Sequence, residues 1–130
     1  MMLTRFLIAL VAGLLTGIVV SEGIVASAGL FAPDVRVFAG ISAGPILDET
    51  AATILALSWL GGASVSAAMA TAISRQRSAG WASGLLWLMS SVLVVVLAGM
   101  AEWVLLVASL ASLGGAVVGT RLAQRIIEAA

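Results

Sequence analysis

The sequence predicts an all-α integral membrane fold: a four-transmembrane-helix bundle, both termini cytoplasmic, with packing faces rich in Gly, Ala and Ser. Three observations carry that expectation. The 130 residues are 62% hydrophobic and only 9% charged, too little polar surface to cover a core in water. The few charges cut the chain into four apolar blocks, each close to the roughly 20 residues that cross a ~30 Å hydrocarbon core as a helix. Arg5, Arg75, Arg77, Arg121 and Arg125 fall on one side of a four-span arrangement and only Arg36 on the other, and the positive-inside rule makes the first side cytoplasmic. Helices are preferred to a barrel because no block alternates in period two.

Residues 4–30 form the first expected span. Its apolar block lies between Arg5 and Glu22 and reaches spanning length only if Glu22 is included. The same segment fits a signal peptide, with MMLTR, FLIALVAGLLTGIVV and SEGIVASA as its three regions. With Met1 retained, it is read as an uncleaved span. Residues 31–49 are an outer loop holding Pro33 and Pro45, with a short interfacial helix expected near Pro33 and Asp34 that turns Val35, Phe38 and Ile41 toward lipid. Asp48 is the expected N-cap of a second span over 50–73. Ser74 to Ser78 is a tight cytoplasmic loop, and a third span follows over 79–100. The connection Met100 to Trp103 is so short that the third span and the fourth, over 103–121, must be antiparallel neighbours. Residues 122–130 are a cytoplasmic tail, and the whole chain is one membrane domain. Trp81 and Trp103 stand at span starts, where interfacial indoles belong.

Small residues recur four apart in Gly13 and Gly17, Gly80 and Gly84, and Gly115 and Gly119, with Gly62 and Ser66 in the second span beside Gly61. Lipid supplies little hydrophobic drive between helices, so faces that let backbones approach do the associating. For any single pair, packing inside one bundle is favoured. Four such faces exceed what one small bundle requires, which points to self-association or another membrane protein as partner. The expected partner of Gly115 and Gly119 is span two, of the same or a neighbouring chain, through Gly61 and Gly62. The echo between LGGASV (60–65) and LGGAVV (113–118) is read as coincidence.

Chemistry has little to work with. Lys, His, Cys, Tyr and Asn are absent, so Ser64 in GASVS has no ordinary base and thiolate chemistry is excluded. The acids are scattered over loops, and no metal or cofactor is expected. No basic face for nucleic acid exists outside the short loops. Arg75, Arg77, Arg121 and Arg125 are assigned to lipid headgroups, and the expected setting is a bacterial cytoplasmic (inner) membrane. No enzymatic activity is expected.

Glu22 is the one ionisable residue able to lie within a span, roughly 25 Å of helix beyond Arg5. An interfacial carboxylate, with Arg36 as its ion-pair partner, is favoured over a coupling site for protons or cations. Trp59 and Trp87 are read as packing between helices. In size, in four spans and in a first-span Glu, the chain is broadly similar to the small multidrug resistance family. Spans two and three show none of the aromatic lining expected there, and the outer loop is longer than that fold carries, so membership is not assigned. The functional expectation is a non-catalytic membrane subunit of a homo-oligomer or larger complex. The alternative is a small proton- or cation-coupled transporter or channel using Glu22, with a holin-like pore as a weaker third.

Overall fold

The structure, a computed structural model, describes residues 2–31, 37–38, 41–42, 49–97, 99 and 102–130. Four helices make up nearly all of them: α1 (Met2–Phe31), α2 (Glu49–Ser74), α3 (Arg77–Leu97) and α4 (Glu102–Ala129). All four are long and apolar enough to cross a membrane, and together they form an all-helical bundle that marks the chain as a membrane protein. At ~1.5 Å per residue, α3 alone is about as long as a hydrocarbon core is thick.

Helix ends depart from the expected spans in two places. α4 does not stop near Arg121 but runs through the expected tail to Ala129, because Leu122 to Glu128 contains no Gly or Pro to break it. α3 stops at Leu97, short of residue 100. Gly99 beyond it adopts φ +64 and donates its N–H to the Val96 carbonyl at 3.2 Å, the left-handed turn that ends many helices. In the outer loop, β1 (Val37–Phe38) and β2 (Ile41–Ser42) pair antiparallel, Val37 opposite Ser42 and Phe38 opposite Ile41. Phe38 and Ile41 therefore belong to a minimal hairpin and not to the interfacial helix expected there. Arg36, Asp34 and Asp48 lie outside the described residues, so neither the Asp48 cap nor an ion pair to Arg36 can be placed.

α2 is the centre of the bundle. α1 and α4 pack most closely on it, α3 packs on both α2 and α4, and α1 meets α3 only lightly. The reason lies in the small residues. An added Cβ at Gly13 would come within 2.6 Å of the Ser66 carbonyl, and at Gly17 within 2.7 Å of the Gly62 carbonyl, so α1 lies directly on the α2 backbone. On another face of α2, a Cβ at Gly115 would meet the Leu60 carbonyl and Ala63, and at Gly119 the Ser64 backbone. α2 and α4 run in the same direction along this contact. Gly84 fits against Ala116, and Gly80 against Thr71 and Thr120, which closes α3 onto its neighbours.

These contacts correct the expected pairing in detail. Gly115 and Gly119 do face span two of their own chain, but through Leu60, Ala63 and Ser64. Gly61 instead faces Ile24 of α1, and Gly62 faces Trp87 of α3. The two LGGA segments thus lie on neighbouring helices and play different packing roles.

The interior is small and hydroxyl-rich. Leu55, Trp59, Val95, Val104 and Ala108 form the apolar cluster. Elsewhere the Ser66 and Ser83 hydroxyls bond at 2.5 Å and those of Ser91 and Ser112 at 3.0 Å, holding α3 to α2 and to α4. At one end of the bundle, Arg5 donates its Nε–H to the Ile73 carbonyl at 2.9 Å. That bond joins the start of α1 to the end of α2, where a helix dipole favours a cation.

Candidate functional site: a cavity between α1, α2 and α3

Successive turns of three helices meet in layers. Gly13 lies against Ser66 and Ser83, and one turn on, Gly17 lies against Gly62 and Trp87. Another turn on, the small residues give way to polar and aromatic ones, and the helices separate around a cavity of about 330 Å³. Leu14, Ile18, Ser21 and Glu22 line it from α1, Ser58 and Trp59 from α2, and Trp87, Ser90, Ser91 and Val94 from α3. It lies along the seam where α1 and α3 meet only lightly.

Trp87 sits midway along α3 and is 7% exposed. The benzene edge of its indole rests on Gly62 and Gly17, and it fills the space between the layer below and the cavity above. Its Nε1–H is buried without a hydrogen-bond partner among the described residues, an arrangement that leaves a desolvated donor uncompensated. Trp59, 5% exposed, joins the apolar cluster and also borders the cavity. Both indoles pack between helices as expected. They also supply spans two and three with the aromatic lining that sequence reading denied them.

The serines set the polarity of the cavity. Ser58 donates to the Leu55 carbonyl at 2.8 Å, Ser90 to the Leu86 carbonyl at 2.8 Å, and Ser91 to the Leu88 carbonyl at 2.9 Å. A hydroxyl has one proton to give and two lone pairs. With their protons committed to the helices, these serines have mainly acceptor lone pairs left to offer. Glu22 adds a carboxylate and is exposed, so it stands at the mouth while the indoles form the depth. A carboxylate and acceptor oxygens beside two indoles suit a cation, which a carboxylate attracts and an indole face can hold.

The other site residues fall elsewhere. All eight glycines lie against another helix of the same chain, so each of those faces already has an occupant. Arg75, Arg77, Arg121 and Arg125 are exposed, at the end of the bundle where Arg5 meets Ile73. Among the described residues no group of three or more His, Cys, Asp or Glu could hold a metal ion. What sequence reading missed is the convergence of Ser21, Ser58, Ser90 and Ser91 with the indoles around Glu22. The signal was depth: Glu22, Trp59 and Ser91 lie at similar helical distances from Arg5, Ser74 and Arg77. Compared with models of protein families, with curated proteins and with solved structures, the chain matches none.

Proposed function

We propose that this protein is a small membrane carrier or channel for cations, protons included, with Glu22 as its coupling carboxylate. The observation that supports it is the single cavity that joins Glu22 to Trp59, Trp87 and acceptor-bearing serines. An ionised carboxylate within a span is costly, and such residues face water-filled cavities or substrate paths. The chain sits in a bacterial cytoplasmic membrane with both ends inside, so the cavity opens in the outer half of the bundle.

The alternative, a non-catalytic subunit, drew its support from surplus small-residue faces. Those glycines lie against helices of the same chain, which favours the carrier reading. What remains for a partner or for lipid is the apolar outer surface of the bundle, with Leu7, Val11, Leu15 and Val19 exposed on α1, Leu85, Met89 and Leu93 on α3, and Leu106 and Leu110 on α4.

The test is flux in proteoliposomes, with wild type and Glu22→Gln compared at equal, verified incorporation. Gln keeps the shape and removes both the charge and the titratable proton. Wild type should carry a proton or monovalent cation current that the variant loses while its native mass is unchanged. Equal flux from both proteins would remove Glu22 from the mechanism.

A further inference from the structure

A second cavity, of about 320 Å³, lies at the opposite end of the bundle, between the α2–α3 turn and the last turns of α4. Thr71, Arg75, Arg77, Gln124 and Glu128 line it. We infer that it is a binding site for one phosphate group, supplied either by an anionic lipid headgroup or by free phosphate.

The inference is independent of the cation-carrier reading and rests on different residues. Two arginines and one glutamate line the cavity, so its lining carries an excess of positive charge. The existing ion pair is weak: Arg77 Nη2 stands 4.0 Å from Glu128 Oε1, and both side chains are mostly exposed. The Arg75 guanidinium has no ion-pair or hydrogen-bond partner among the described residues. Arg75 also occupies φ 59, a conformation that glycine adopts far more readily, immediately after α2. A chain that needed only a turn here would be better served by glycine, so the retained side chain calls for a use.

The remaining lining supplies donors. Gln124 carries an amide with two N–H donors, while the buried Thr71 hydroxyl, without a partner among the described residues, packs beside Gly80. Arg77 opens α3, where the first backbone N–H groups are unsatisfied and the helix dipole favours an anion. Guanidinium and amide donors around one space match a group with several acceptor oxygens, and guanidinium recognises phosphate in a two-pronged fashion. This differs from a basic surface lying on headgroups, because it places two of the five clustered arginines in one cavity and leaves Arg121 and Arg125 out of its lining.

The experiment reconstitutes the full chain in phosphatidylcholine vesicles with a small fraction of phosphatidylglycerol, then counts lipid retained on mild extraction by native mass spectrometry. One phosphatidylglycerol per chain should remain on the wild type. Arg75→Gly, which relieves the backbone, and Arg77→Gln should each cut retention about tenfold with helix content unchanged. Glu128→Gln should raise it, and Arg121→Gln with Arg125→Gln should leave it within twofold. A parallel arm adds inorganic phosphate to delipidated protein. A rise in melting temperature that Arg75→Gly abolishes assigns the same site to a soluble phosphate. Equal loss from all three arginine variants, or neither lipid nor phosphate binding to the wild type, overturns the proposal.

Discussion

Single residues in this bundle matter by the space they leave. Gly80 lies where the Thr71 and Thr120 hydroxyls converge beside the Ala67 carbonyl, and both hydroxyls lack partners among the described residues. A methyl group there must push α3 off its neighbours. Overpacking of that kind costs about 1–3 kcal/mol, so Gly80→Ala should lower the melting temperature in detergent clearly. Gly23 is the matched control, since nothing lies within 4 Å of its added Cβ. Gly23→Ala should be neutral or stabilising, by up to ~1 kcal/mol through helix propensity. Similar effects of the two substitutions would mean that the close approach at Gly80 is not real. At this scale the sequence was legible in part. Glu22 stands out as a lone acid in apolar surroundings, and its depth follows from counting residues beyond Arg5. Its companions do not stand out, because serine is common in such helices and an indole in a span packs as readily as it binds.

Between elements, the number of helices was legible and their rotation was not. Charged residues mark where each span ends, so four helices and the α3–α4 hairpin follow directly from composition. A span that is apolar nearly all round carries no stripe to show which face turns inward. That is why Gly115 and Gly119 were matched to the right helix but to Gly61 and Gly62. Neighbouring residues on a helix point about 100° apart, so Leu60, Ala63 and Ser64 form a different face. The contact can be tested directly. Cysteines replacing Leu60 and Gly114, whose added Cβ lies 3.7 Å from Leu60 Cδ1, should crosslink within one chain. The product should run at monomer mass; a dimer band in its place would move this interface between chains.

For the molecule as a whole, sidedness is the open quantity that an experiment settles soonest. The fold gathers Arg5, Arg75 and Arg77 at one end, with Gln124 and Glu128 of α4 beside them. Cysteines introduced at Gln76 and after Arg125 should therefore label from the same side, the cytoplasm, and one at Arg36 from the other. Opposite labelling of Gln76 and the C-terminal end would break the four-span arrangement. The candidate site was less legible than the fold because it depends on where three helices part. That separation comes from a change in side-chain size one turn beyond Gly17 and Gly62, and from no motif in a single segment.

The parallel contact between α2 and α4 also has a consequence in time. α2 emerges during synthesis with its Leu60, Ala63 and Ser64 face bare, and the glycines that cover it lie at the far end of the chain. At about 5–20 residues per second, that face waits on the order of several seconds for its partner. α1, already made, can settle on the other side of α2 at once through Gly13 and Gly17. Assembly is thus ordered by birth, with an early hairpin and a late closing helix. Truncation before Gly115 would strand the α1–α2 pair with an open backbone groove, the form of this protein most exposed to quality control.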